Sequence, residues 1–247
     1  VKESLRLNRY LATAGVASRR QCDELIRQGR IAVNGILIEE LGTRVHPDDD
    51  EVVLDGMRVH MPRDQWTLVL HKPREFLVAA SDARGRKTVM DLLAEAPGRV
   101  FPVGRLDYRS EGLLLFTNDG DLAYRLAHPR FKVEKVYQVE FDGRPTEDAL
   151  ESLRRGVMLE DGMTQPARVQ VLRHRKGRTL LEIELREGRK RQVRRMLAAF
   201  GFDVVRLRRV RFGPLELGTL DPGKWRPLAP DEVAALRDAV GLGESAA

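Results

Sequence analysis

The apolar stretches of this chain are short, and that limits what it can fold into. Leu113 to Phe116 is representative. It has the length of a β-strand and falls far below the roughly 20 residues of a membrane-crossing helix. Strand-like and helix-like segments follow one another without a regular beat. Trp66–His71, Val100–Val103, Leu113–Phe116, Val133–Phe141 and Leu180–Leu185 read as strands, and Leu122–Ala127, Glu147–Arg155 and Gln192–Phe200 read as helices. A doubly wound sheet would alternate the two kinds evenly. The irregular mixture predicts an α+β fold with a largely antiparallel, mixed sheet flanked by helices.

Hydrophobic residues make up 42% and charged residues 32% of the 247, enough to build a core and too apolar for a disordered chain. The opening Val1 to Arg9 alternates charge with leucine, so no signal peptide is expected. Cys22 is the single cysteine and can form no internal disulfide. His46, His60, His71, His128 and His174 are scattered singly, so no metal site is expected. There is no phosphate-cradling glycine fingerprint and no HExxH. A reducing, cytoplasmic setting without a membrane partner is the expectation.

The net charge is +6, which points to a polyanionic partner. Between Arg186 and Arg211 ten Lys or Arg residues face only Glu187 and Asp203. That local excess is larger than the charge of the whole chain. Basicity so concentrated is the footprint expected of a nucleic-acid binder, with a generally basic surface as the plainer alternative.

Residues 1–62 read as a separate small module, with a linker at Met61 to Gln65. Leu7, Tyr10, Leu11 and Ala14 fall on one face of a helix. Ser18 and Gln21 form a capping box for a second helix that buries Cys22, Leu25 and Ile26, and Gly29 ends it. Ile31–Val33, Asn34-Gly35 and Ile36–Ile38 spell a tight hairpin. Arg6, Arg9, Arg19, Arg20 and Arg27 crowd the helical part, and acids crowd residues 39–55. Arg19 and Arg20 stand at a helix N-terminus, where cations oppose the macrodipole. A bound polyanion offsets that cost; an incidental surface choice is the alternative. The stretch LRLNRYLATAGVASRRQCDELIRQGRIAVNG resembles the S4-type RNA-binding domain.

Two stretches downstream carry candidate chemistry. In GRLDYRSEGLLLFTNDG a polar loop bounded by glycines lies between two apolar strands, and Asp107 stands between Arg105 and Arg109. Asp107 alone is either a catalytic carboxylate or an ion-paired loop residue. In REGRKRQVRRML, Val193, Met196, Leu197 and Phe200 make one helical core face. Arg195 points away from it, and Arg194 falls at its edge, where a guanidinium can reach a cleft. Arg189, Lys190 and Arg191 precede the helix and suit phosphate contacts. Arg206 and Arg208, within Val204 to Phe212, read as part of a basic strand beside the helix.

These stretches, with VEKVYQVEF, resemble the motifs of pseudouridine synthases of the RsuA/RluB type, and with the S4-like module the likeness spans nearly the whole chain. It implies an RNA-modifying enzyme that turns uridine into pseudouridine without a cofactor or metal. Asp107 is then the essential carboxylate, Tyr137 the ring against the base, and Arg194 the partner that keeps Asp107 ionised. Arg191, where small-subunit enzymes commonly have histidine, and PGKWRPL fit the large-subunit branch. The implied partner is structured ribosomal RNA or a pre-ribosomal particle, bound by a monomer. Residues 63–237 are the expected catalytic domain and 238–247 a frayed tail. The rivals are the same chemistry on small-subunit RNA or tRNA, and a non-catalytic RNA-binding assembly protein.

Overall fold

A computed structural model of the 247-residue chain describes residues 4–62 and 64–243. The chain divides after Gln65 into two compact units. In the first, β1 (Leu5–Arg6) runs into α1 (Leu7–Thr13), followed by α2 (Arg19–Arg27), β2 (Ile31–Val33) and β3 (Ile36–Ile38). Then come β4 (Arg44–Val45), β5 (Val52–Leu54) and β6 (Met57–Arg58). β1 pairs with β4, and the other strands form a sheet in the order β3-β2-β5-β6.

Local chemistry accounts for these turns. Ser18 Oγ accepts from the amide of Gln21 at 3.3 Å, and Gln21 Oε1 accepts from the amide of Ser18 at 3.1 Å, which satisfies two otherwise orphaned donors at the start of α2. Asn34 and Gly35 both adopt positive φ, as the two-residue hairpin between β2 and β3 requires. Leu7, Leu11, Cys22, Ile26, Ile31 and Val52 close a small core.

The second unit is built on β7 (Thr67–Lys72), β8 (Phe101–Val103), β9 (Glu111–Thr117), β10 (Lys135–Asp142) and a β11–β12 hairpin (Met158–Leu159 and Gly162–Met163). β13 (Arg168–Arg175), β14 (Arg178–Leu185), β15 (Val204–Phe212), β16 (Leu215–Glu216) and β17 (Trp225–Pro227) complete the strands. The helices are α3 (Gly120–Ala127), α4 (Glu147–Arg155), α5 (Gln192–Ala198) and α6 (Pro230–Asp238). The central sheet runs β13-β14-β10-β15-β9-β7-β17, with β8 on β9 and β16 on β15. All its pairings are antiparallel except β15 with β9. The fold is α+β with a mixed, largely antiparallel sheet.

β9 is buried along its whole length. Leu113 and Leu115 face one cluster with α3 and α6, and Leu114 and Phe116 face another with Val89, Leu93 and Leu106. β14 instead alternates, turning Leu181, Ile183 and Leu185 toward α4 and α5. One face of that half of the sheet is therefore left polar. Where β9 meets β15, Gly112 has φ +107°, and a Cβ on it meets the Arg209 backbone nitrogen at 2.7 Å. Only glycine fits a crossing that close.

The frayed tail expected from residue 238 is corrected for residues 238–243. Val240 is buried against Leu236 and Leu126, and Arg125 donates to the carbonyls of Val240 and Gly241 at 3.0 Å each. An apolar residue after the helix and a cation capping its end hold this segment down. Residues 244–247 lie outside the described part. Among the described residues no helix is long and apolar enough to cross a membrane.

Candidate active site

The loop from Gly104 to Ser110 leaves β8 and returns as β9, and it forms one wall of a cleft of about 310 Å³. That volume lies at the lower end of the range for small-molecule sites. Asp107 and Tyr137 both line it, although they come from different elements. Tyr137 on β10 is in register with Arg209 on β15 and Ile183 on β14, so the three side chains project from the same sheet face. α5 covers that face through Val193, Met196 and Leu197. The cleft opens beside the start of α5.

Lys72, which sequence reasoning missed, sets the position of the loop. It ends a strand that is buried along its whole length and is itself wholly buried. Its Nζ donates to the carbonyls of Pro73 (2.9 Å), Asp107 (3.2 Å) and Ser110 (2.8 Å), which uses all three of its hydrogens. Burial pushes its pKa down to about 8, opposed by the nearby Asp107 and Glu111. Lys135 also lines the cleft, and burial and then Arg209 bring its pKa down to about 8. Ser110 Oγ and Arg209 Nη2 are buried without a hydrogen-bond partner among the described residues, and both residues line the cleft. Unpaired buried polar atoms are costly unless a ligand meets them.

Arg194 departs from the expected ion pair. Its Nη1 donates to the Val204 carbonyl at 3.1 Å and its Nη2 to the Arg109 carbonyl at 3.0 Å. Among the described residues it makes no ion pair with Asp107, and the two interact only through their longer-range field. Burial lowers the pKa of Arg194, Arg191 lowers it further, and Asp107 opposes both. The guanidinium therefore braces the far side of the Asp107 loop against the start of β15.

The cations expected to grip RNA separate into distinct groups. Arg105, Lys190 and Arg191 are exposed and line the cleft, Arg191 with a left-handed backbone just before α5. Arg189 turns inward, with its guanidinium on Glu187 and the carbonyls of Asp161, Gly162 and Met163. Arg195 makes a bidentate pair with Asp161 at 2.9 and 3.0 Å. Together they clamp the β11–β12 hairpin, and Arg189 also lines the cleft. Buried Glu187 and Gln192, also missed from sequence, complete that network at 2.6 Å.

β15 lies beside α5 as expected, with Leu207 packed among Val193, Met196 and Leu197, but Arg206 and Arg208 project from its other face. Arg208 is in register with Gln138, next to Tyr137, so it projects from the opposite sheet face. Arg206 shares that face and is tied to Glu111, at 2.7 Å from Nε. In the first unit Arg6 and Arg20 are exposed, and Arg9 is half-buried. Arg19 donates to Asn8 Oδ1 at 3.2 Å, and Arg27 pairs with Glu24 at 3.2 Å.

Comparison with known proteins identifies the family of both units. Residues 66–199 match the family model of RNA pseudouridylate synthases, and residues 5–51 match the S4 domain. A protein of Aquifex aeolicus named an uncharacterized RNA pseudouridine synthase is 46% identical over 239 residues, covering 96% of each chain. The ribosomal large subunit pseudouridine synthase B of Bacillus subtilis is 41% identical over 243 residues, 98% of this chain and 99% of that one. A crystal structure of a pseudouridylate synthase superposes with a TM-score of 0.68 at 28% identity, covering 94% of this chain and 99% of the other.

Proposed function

The chain belongs to the RNA pseudouridylate synthase family, and we propose on that premise that it isomerises a uridine of large-subunit ribosomal RNA. The observation that carries this reading is the meeting of Asp107 and Tyr137 in one cleft, with Arg105, Lys190 and Arg191 at its mouth. The substrate class follows the full-length likeness to the large-subunit synthase of Bacillus subtilis. The enzyme works as a monomer in the cytoplasm, where that RNA is made and assembled.

In the reaction the C1′–N1 bond breaks, the base turns, and C1′ joins C5. The proton leaves C5 and N1 gains one, so atoms and electrons balance without an added reductant or oxidant. Asp107 starts the reaction as a carboxylate, either by attacking C1′ or by taking a ribose proton to give a glycal. Tyr137 stacks on the base. Ser110 Oγ and Arg209 Nη2 meet the polar edge of the uracil, which gives these unpaired groups a partner. Arg194 is a positioning residue that fixes the Asp107 loop and adds positive field. The S4 unit adds grip on RNA through its exposed arginines.

Mapping pseudouridine across ribosomal RNA and tRNA from cells with and without the protein tests the reading. One large-subunit position is expected to disappear and to return when purified protein acts on the unmodified RNA. Loss only in small-subunit RNA or tRNA overturns the substrate class, and no loss anywhere overturns the function.

A further inference from the structure

The rim of the cleft exposes aromatic rings and guanidinium groups together. Ala127 and Pro129 line the cleft and belong to the end of α3 and the 3-10 turn Pro129–Phe131 after it. α3 buries Leu122, Ala123 and Leu126, which leaves Tyr124, Ala127 and His128 on its outer side at i, i+3 and i+4. Tyr124 is 48% exposed. Its ring lies 5.1 Å from His128 and 6.2 Å from Phe131, edge-on to the latter. Arg130, itself exposed, sets its guanidinium 5.4 Å from the centre of the Tyr124 ring and 4.5 Å from that of Phe131.

Core formation explains Leu122 and Leu126 but not a tyrosine left half open to water. We propose that Tyr124, His128 and Arg130 form a stacking platform for an RNA nucleotide next to the uridine held in the cleft. This rests on RNA being the substrate, as proposed above. Drawing a uridine out of its stack strips its neighbours of stacking partners, and the enzyme has to replace them. Aromatic faces suit that purpose because every base has a π-face to offer, and arginine adds a planar cation that also meets phosphate. The platform is continuous with the cleft through Ala127 and Pro129, so a neighbouring base reaches it without leaving the strand. Arg125 and Lys132 nearby keep the patch positive.

The test uses the full-length protein and a short single-stranded RNA carrying one 2-aminopurine, beside an RNA of equal length with abasic sites. The parent is expected to quench 2-aminopurine and to bind the base-bearing RNA more tightly. Tyr124→Leu keeps the apolar bulk and is expected to bind about tenfold more weakly, with most of the quenching lost. Tyr124→Phe is expected to keep both. Should Tyr124→Leu also melt early, Arg130→Gln is the second variant, with the same losses in binding and quenching. Undiminished quenching in both Tyr124→Leu and Arg130→Gln, or equal binding of the abasic RNA, overturns the platform. Pseudouridine formation is scored in parallel. A parent that isomerises uridine without quenching sinks the platform alone, and one that quenches without isomerising sinks the proposed function alone.

Discussion

Lys72 holds Asp107 by its carbonyl at 3.2 Å while holding Ser110 by its carbonyl at 2.8 Å, so one buried ammonium pins the middle and the end of the loop that carries the carboxylate. Lys72→Met keeps the length of the side chain and leaves those carbonyls without a donor. The expected stability loss is about 1–3 kcal/mol, the cost of buried unsatisfied groups. Single-turnover rates should fall further than RNA affinity, because the loop moves while the grip on phosphate stays. Unchanged turnover in the folded variant sinks this role.

The same lysine gives stability a pH dependence. Its folded pKa is down to about 8, against 10.5 for the ordinary group. Below pH 8 both folded and unfolded chains hold the proton, and the cost of burying the charge is fully present. Between pH 8 and 10.5 the unfolded chain binds more protons, so the contribution of Lys72 to stability rises with pH. Unfolding by denaturant at several pH values should show the parent gaining on Lys72→Met across that window. A difference that stays flat or narrows contradicts the assignment.

Arg189 and Lys190 are neighbours with separate duties, and substitution should part them. Arg189→Ala frees the β11–β12 hairpin and leaves Glu187 buried without its cation, so melting should fall and single-turnover rates with it. Lys190→Ala touches an exposed cation at the cleft mouth. It should leave melting unchanged and reduce the slope of log affinity against log salt by about 0.9. Arg194→Ala should lower turnover more than affinity, since its guanidinium serves Val204 and Arg109, not a phosphate. Equal affinity losses for all three, with normal rates, argue against this division.

The division of the chain after Gln65 yields a prediction for the S4 unit. A chain shortened to begin at Asp64 should fold, bind RNA more weakly and show a shallower salt slope, by about 0.9 for each phosphate that the S4 unit neutralises. Isomerisation at saturating RNA should survive. An unchanged salt slope removes the RNA-gripping role from Arg19 and Arg20.

Much of this was legible in sequence where spacing alone decides the outcome. The Ser18–Gln21 box, the Asn34-Gly35 turn and the core face of α5 depend on neighbours a few residues away. The meeting of Asp107 with Tyr137 came from family likeness, not from any local rule. What stayed hidden depends on distant partners or on strand parity. Lys72 reaches a loop 35 residues on. Arg189 and Arg195 look like any surface cations until Asp161 comes round to meet them. In Arg206-Leu207-Arg208-Arg209 the adjacent arginines blur the alternation that would tell inner from outer. A bulge between Val136 and Tyr137 shifts the register again, and only the paired strands show that Arg209 turns inward and Arg208 outward.

Asp107→Asn is the sharpest test of the chemistry. The substitution keeps the shape of the side chain and removes its charge and basicity. The loop does not depend on that carboxylate, because Lys72 holds Asp107 through its backbone and Arg194 holds Arg109 through its backbone. Fold, melting temperature and RNA affinity should therefore stay near those of the parent. Isomerisation should vanish, because attack on C1′ and removal of a ribose proton both require the carboxylate. Release of tritium from C5-labelled uridine in a ribosomal RNA fragment, under single-turnover conditions, measures the loss. If Asp107 served only as a loop ion-pair partner, the variant would lose about 1 kcal/mol or less and still turn over. A folded Asp107→Asn protein that isomerises uridine near the parent rate would defeat the assignment of Asp107 as the essential carboxylate.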